Sequence, residues 1–122
     1  MSMIPIANSQ ARKTHSNDTS IACSDVSVIV PSYQYNRYVL RCLNSISGQK
    51  LQPSQVILVD DGSTDGSRDI LANWAASTSS FEVQCLLLPE NRGKNHVLNR
   101  AVEMVKSKFT CIVDADDILL SD

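Results

Sequence analysis

A chain of 122 residues that is 43% hydrophobic and 20% charged, with four Gly and four Pro, has the size and composition of one globular domain, neither low-complexity nor disulfide-stapled. Its formal net charge of -2 and pI near 5.6, with the basic residues scattered, exclude a nucleic-acid surface. The four cysteines, at positions 23, 42, 85 and 111, form no CxxC pair and have no nearby histidine to complete a zinc set, which points to reduced thiols in a cytoplasmic protein.

Residues 1–24 are rich in Ser, Asn, Thr and Gln without helical or strand periodicity and are predicted to be a flexible tail. They contain no signal-peptide core, and no run in the chain approaches the roughly 20 apolar residues of a membrane span. The domain is expected over 25–122. "VSVIVP" at 26–31 is a β-branched run closed by proline, the pattern of a strand buried on both faces. Val39, Leu43 and Ile46 then recur at helical spacing up to Gly48, and "QVILVD" at 55–60 is a second buried strand. Ile70, Leu71, Trp74 and Ala75 mark a helix between Thr64 and Thr78, with Ser63 or Thr64 as its cap. "EVQCLLLP" at 82–89 reads as a third strand. "KNHVLNRAVEMVKS" reads as a helix with Leu98, Ala101, Val102 and Val105 on one face, and "FTCIVD" at 109–114 as a fourth strand. Strand and helix alternating in this way predict an α/β fold, a Rossmann-like parallel sheet with helices on both faces.

Ligands of such sheets bind at the carboxyl ends of the strands, and three of those ends are polar: "PSYQYN", "DDGSTDGS" and "DADD". With the strands side by side, Ser32, Tyr33, Asp60, Asp61, Asp114 and Asp116 converge on one rim. Asp114 and Asp116, two apart in an extended chain, would point the same way and repel unless a divalent cation lay between them, which is how magnesium is held by one or two carboxylates plus phosphates. Asp60 and Asp61 suit hydrogen bonds from a base or ribose better than contact with a phosphate. Tyr33 either stacks on that base or packs. Arg92 and Lys94 in "ENRGKN" either balance phosphate charge or belong to a solvated loop. Asp65 and Asp117, taken singly, read as turn or cap residues.

The glycine fingerprints of dinucleotide-binding and phosphate-loop proteins are absent, as is a G-x-S-x-G elbow. The blocks "VSVIVPSYQYNRYVLRCLNSI", "VILVDDGSTDGS", "PENRGKNHVLNRAVEMVKSKF" and "CIVDADDILL" resemble, in order, the N-terminal half of family 2 glycosyltransferases. That resemblance implies a GT-A fold, here expected to stop after its fourth strand, and inverting transfer of a hexosyl unit from a nucleotide-diphosphate sugar, UDP-sugar favoured. The acceptor would be a hydroxyl on a glycan or lipid-linked saccharide, in polysaccharide biosynthesis. By position it assigns Pro31, Ser32, Tyr33, Asp60, Asp61 and Asp114 to the nucleotide sugar, which Lys94 joins as the candidate for phosphate charge, and Asp116 with Asp114 to Mg2+ or Mn2+. The family's general base lies downstream of its D-x-D, so no catalytic base is expected in this chain. Two other readings fit the same sheet: a noncatalytic nucleotide-sugar binding module, and a receiver-like phosphoacceptor domain, although the latter would place its acid pair after the first strand.

Overall fold

The computed structural model describes Ser2–Pro5 and residues 24–120. In chain order its elements are β1 (Ser2–Pro5), β2 (Val26–Ser32), α1 (Val39–Ser47), β3 (Gln55–Asp60), α2 (Ser67–Ser77), β4 (Glu82–Leu87), α3 (Lys94–Val102) and β5 (Phe109–Ile112). They form one sheet of order β1-β5-β2-β3-β4, in which β5, β2, β3 and β4 run parallel and β1 is antiparallel at the edge.

The two-residue period of β2 and β3 divides their apolar side chains between two cores. Val28, Val30, Val56 and Leu58 meet Val39, Leu43 and Ile46 of α1 and Leu71 and Trp74 of α2. Ile29, Ile57 and Val59 turn the other way, onto Val97 and Ala101 of α3. Helices therefore cover both faces, as the unbroken apolar runs required, and each fully buried Leu, Ile or Val is worth about 1.5–3 kcal/mol. Gln55, buried at the start of β3, is satisfied by the Ser27 hydroxyl and the Lys106 amide and donates to the Met104 carbonyl, tying the end of the α3 crossover to the sheet.

Crossovers through α1 and α2 step the chain from β2 to β3 to β4 in one direction, and α3 then carries it back past β2 to β5. Strand order reverses between β2 and β5. There the two diverging connections leave a crevice above the carboxyl edge.

Several expectations change at the element ends. Ser2–Pro5 is a strand paired with β5, from Ser2 opposite Ile112 to Pro5 opposite Phe109, where a tail was predicted. Four residues are too few to display a period, and the free edge of β5 offers unpaired amides and carbonyls to them. The remainder of the predicted tail, residues 6–23, lies outside the described residues. Helix α2 starts at Ser67, behind Gly66 at φ +94°, with Asp65 Oδ1 accepting the Ser67 amide at 3.0 Å and its hydroxyl at 2.5 Å. Ser63 and Thr64 do not cap it; both are bonded to the loop after β2. In α3, Val97 and Ala101 face the sheet, while Val102, about 100° further round the helix, is 45% exposed.

Candidate functional site

A cleft of roughly 360 Å³ opens at the switch point. Its floor and one wall are Pro31 and Ser32, which end β2, and Tyr33, which follows it. Asp61 enters behind β3, Lys94 from the first turn of α3, and Asp114 and Asp116 from the segment after β5. Of the residues assigned from the sequence to the nucleotide sugar or its metal, all of these converge and only Asp60 does not. Tyr35, Asn91, Gly93 and Val97 also line the cleft and were not anticipated. Tyr35 and Asn91 sit inside motifs already noted, but nothing in linear sequence says which residues of a loop turn inward. Arg92, a candidate for phosphate, directs its guanidinium to Glu90 at 3.0 Å.

Asp60 and Asp61 have separate tasks. Asp60 is 0% exposed; its Oδ2 accepts the Ser63 amide at 2.8 Å and pairs with Arg68 Nη1 at 3.2 Å. It holds the turn from β3 into α2 and lies beneath the cleft, because the alternation along β3 sends it to the α2 face. Asp61 is a position further on and reaches the opposite side, where its two oxygens accept the amides of Arg92 at 2.7 Å and Gly93 at 3.0 Å. The carboxylate thus anchors the entry to α3 and leaves lone pairs directed at the cleft. Gly62, the next residue, is at φ +75°, and a Cβ there would fall 2.5 Å from the Glu90 carbonyl carbon, so the β3–α2 turn packs backbone to backbone against the β4–α3 loop. Ser32 is bonded through its main chain, its carbonyl accepting the Asp61 amide at 2.9 Å, while its buried hydroxyl has no hydrogen-bond partner among the described residues.

Asp114 and Asp116 are not in extended chain. The Asp117 amide donates to the Asp114 carbonyl at 2.9 Å, closing a turn over 114–117. Asp117 is the turn residue expected, and the turn still brings Asp114 and Asp116 to one cleft with the apolar Ala115 buried behind them. Lys94 Nζ donates to Asp114 Oδ1 at 2.8 Å, and this bond, against a small opposing effect of burial, lifts the lysine above its usual pKa. Asp116 is exposed and makes no ion pair or hydrogen bond among the described residues. Below the turn, the Cys42 thiol donates to the Asp114 carbonyl at 3.5 Å; burial first, then the charges of Asp117, Asp116 and Asp114, push its pKa up to about 12, so it remains a neutral donor. Cys42, Cys85 and Cys111 are all free thiols, the first and last of them buried, as the spacing implied.

No group of three or more His, Cys, Asp or Glu side chains able to hold a metal by themselves occurs among the described residues. The oxygen set available is Asp116 with Asp114, a fit for a hard divalent cation whose remaining ligands come from a bound phosphate. No helix among the described residues is long and apolar enough to cross a membrane.

A doubly wound α/β sheet with an acidic, tyrosine-walled cleft at its switch point is the architecture of proteins that bind their ligand at the strand ends. The model of "Glycosyl transferase family 2" matches residues 27–122, and the chain belongs to that family. It is 36% identical over 95 residues to the glycosyltransferase GlyG of Streptococcus pneumoniae, covering 77% of this chain and 31% of that protein. Against the teichoic acid poly(glycerol phosphate) polymerase of Staphylococcus epidermidis it is 35% identical over 96 residues, 79% of this chain and 13% of the polymerase. The chain therefore spans less than a third of the length of either relative. Among solved structures it superposes on the mannosyltransferase PcManGT from Pyrobaculum calidifontis in complex with GDP-Man and Mn2+, with a TM-score of 0.71 and 31% identity over 80% of this chain and 29% of that one. It also superposes on S. aureus TarS in complex with UDP, with a TM-score of 0.67 and 31% identity over 76% of this chain and 28% of that one. The fold is thus that of GT-A glycosyltransferases, the class the sequence blocks resembled.

Proposed function

We propose that this chain is the donor-binding portion of an inverting family 2 glycosyltransferase that transfers a hexosyl unit from a nucleotide-diphosphate sugar, UDP-sugar favoured, to a hydroxyl of a glycan or lipid-linked saccharide. One observation carries the reading: at the switch point Asp116, an exposed carboxylate without a partner among the described residues, shares a cleft with the Lys94–Asp114 pair and with Tyr33 and Tyr35. The cleft thus offers charge for a diphosphate and its cation together with a stacking surface for a base. GDP-Man with Mn2+ in one neighbour and UDP in another support a ligand of that shape.

In this reading Tyr33, 43% exposed, stacks on the base, and Asp61 accepts a hydrogen bond from a base N–H or ribose hydroxyl with the lone pairs left by Arg92 and Gly93. Pro31 and Ser32 form the floor under the nucleoside, with the Ser32 hydroxyl free to pair there. Asp60 acts through the turn it holds. Asp116, with Asp114, would hold Mg2+ or Mn2+, which when bound supplies Lewis-acid stabilisation of the charge on a departing diphosphate. Lys94 is placed to exchange Asp114 for a phosphate oxygen, keeping its charge paired throughout. The general base belongs to the face of the sugar opposite the leaving group, a position served by none of Asp61, Asp114 and Asp116 in their donor-side roles.

Calorimetric titration of UDP tests the reading. UDP is expected to bind weakly to the parent chain and about tenfold or more tightly once manganese is added, with Asp116→Ala abolishing the gain. An affinity indifferent to manganese, or an Asp116→Ala chain that binds UDP with manganese as the parent does, would count against it.

A further inference from the structure

The loop after β2 is held in a conformation that its own sequence does not favour. Gln34 has φ +59°, the one non-glycine residue in the left-handed region among the described residues. That conformation costs a side-chain-bearing residue of this type on the order of 1 kcal/mol and persists only where neighbours over-determine it. The neighbours here belong to the β3–α2 turn. Gln34 donates its amide to Ser63 Oγ at 2.9 Å and its Nε2 to Thr64 Oγ1 at 3.1 Å, and its Oε1 accepts the Thr64 amide at 2.7 Å. Two residues on, the Asn36 amide donates to Asp65 Oδ2 at 3.0 Å and Asn36 Nδ2 to the Asp65 carbonyl at 2.8 Å.

The turn that accepts these bonds is itself rigid. Asp60 fixes Ser63, Asp65 is committed to the first residue of α2, and Gly62 is wedged against Glu90. A stiff turn therefore serves as a template for a strained loop. The residues on either side of Gln34 are Tyr33 and Tyr35, and both line the cleft while Gln34 itself faces solvent. Tyr35 is further fixed by packing edge-on to Tyr38, ring centroids 6.4 Å apart, and by its carbonyl accepting the amides of Tyr38 and Val39 at the entry to α1.

The geometry points to Gln34 as a positioning residue: its left-handed backbone, held by Ser63 and Thr64, presents Tyr33 and Tyr35 together to the cleft, so that a residue touching no ligand sets nucleotide affinity. This rests on the donor-cleft reading above. Affinity is gained because the tyrosine wall is ordered before the ligand arrives, and releasing the loop returns that ordering cost to the binding step.

The test compares two ligands on the 122-residue chain, UDP with manganese and inorganic pyrophosphate with manganese. Pyrophosphate carries the diphosphate charge but has no base to stack on tyrosine. Gln34→Ala is expected to weaken UDP by about tenfold and to leave pyrophosphate within about twofold. Gln34→Gly removes the strain as well as the side-chain bonds, so its thermal midpoint is expected to stay close to the parent's or rise while UDP affinity still falls; a residue that merely supported the fold would lose both together. Equal UDP affinity in parent and Gln34→Ala overturns the proposal with the donor reading intact, as does an equal loss for both ligands. A parent chain that binds neither ligand removes the donor reading and the positioning role with it.

Discussion

Neighbouring carboxylates of this chain differ in what they do because strand geometry sends them to different surroundings. Asp60 turns into the interior, where its Oδ2 meets Arg68 and the Ser63 amide, Asp61 accepts the amides before α3 while still lining the cleft, and Asp116 is left wholly to the cleft. Asp65 is a fourth case, outside the cleft but tied to its wall. Slight burial raises its pKa, yet the hydrogen bonds from the Ser67 hydroxyl and from the Asn36 and Ser67 amides outweigh it, leaving the carboxyl below the ordinary aspartate value of 3.8. A lowered folded pKa means that the ionised form contributes stability above the ordinary value and that this contribution is lost as pH falls through the lowered one. The carboxyl carbon of Asp65, followed by NMR, is expected to titrate below pH 3.8, and Ser67→Ala to move the midpoint back upward. A midpoint unchanged by Ser67→Ala would mean that the hydroxyl bond is not its cause.

At the scale of elements, the decisive piece is the turn between β3 and α2. It receives the loop after β2 through Gln34 and Asn36, and it rests on the β4–α3 loop through Gly62, so three connections from three strand ends are locked into one rim. Gly62→Ala should disturb all of them. Both the positive φ and a Cβ placed 2.5 Å from the Glu90 backbone oppose any side chain there. The substitution is expected to cost about 1–3 kcal/mol in urea unfolding and to weaken UDP binding as well, since the loop carrying Asn91, Gly93 and Lys94 must shift. By contrast, a Cβ at Gly66 would meet no atom within 4 Å, so the penalty for alanine there is conformational alone and UDP affinity is expected to hold.

For the molecule as a whole, the cleft exists because the chain reverses its direction of travel across the sheet between β4 and β5. Its three acidic residues, Asp61, Asp114 and Asp116, all have donor-side places in the proposed mechanism, so the 122 residues assayed alone are expected to bind nucleotide without transferring sugar. Release of UDP from a UDP-sugar in the presence of a saccharide acceptor, coupled to product formation, would refute that expectation. Much of this organisation was legible in sequence. The apolar runs at 26–31 and 55–60 are fully determined as strands buried on two faces, since no other placement removes consecutive β-branched side chains from water. The polar blocks behind them marked the rim for the same reason: charge must leave the sheet where burial ends. Local pattern did not reveal the division of labour between Asp60 and Asp61, the turn that replaced an extended Asp114–Asp116, or β1 on the edge of β5. It also gave no sign of the left-handed Gln34. The Asp61 and Gln34 contacts and the β1 pairing join residues far apart in sequence and are created only when the crossovers close, while the Asp60 pairings and the 114–117 turn are local bonds that residue pattern does not specify. The sequence by itself thus determined the fold class and the rim of the site, through periodic burial; the tertiary structure alone decided which rim residues are free to meet a ligand, through the face each side chain reaches and the hydrogen bonds that occupy the others.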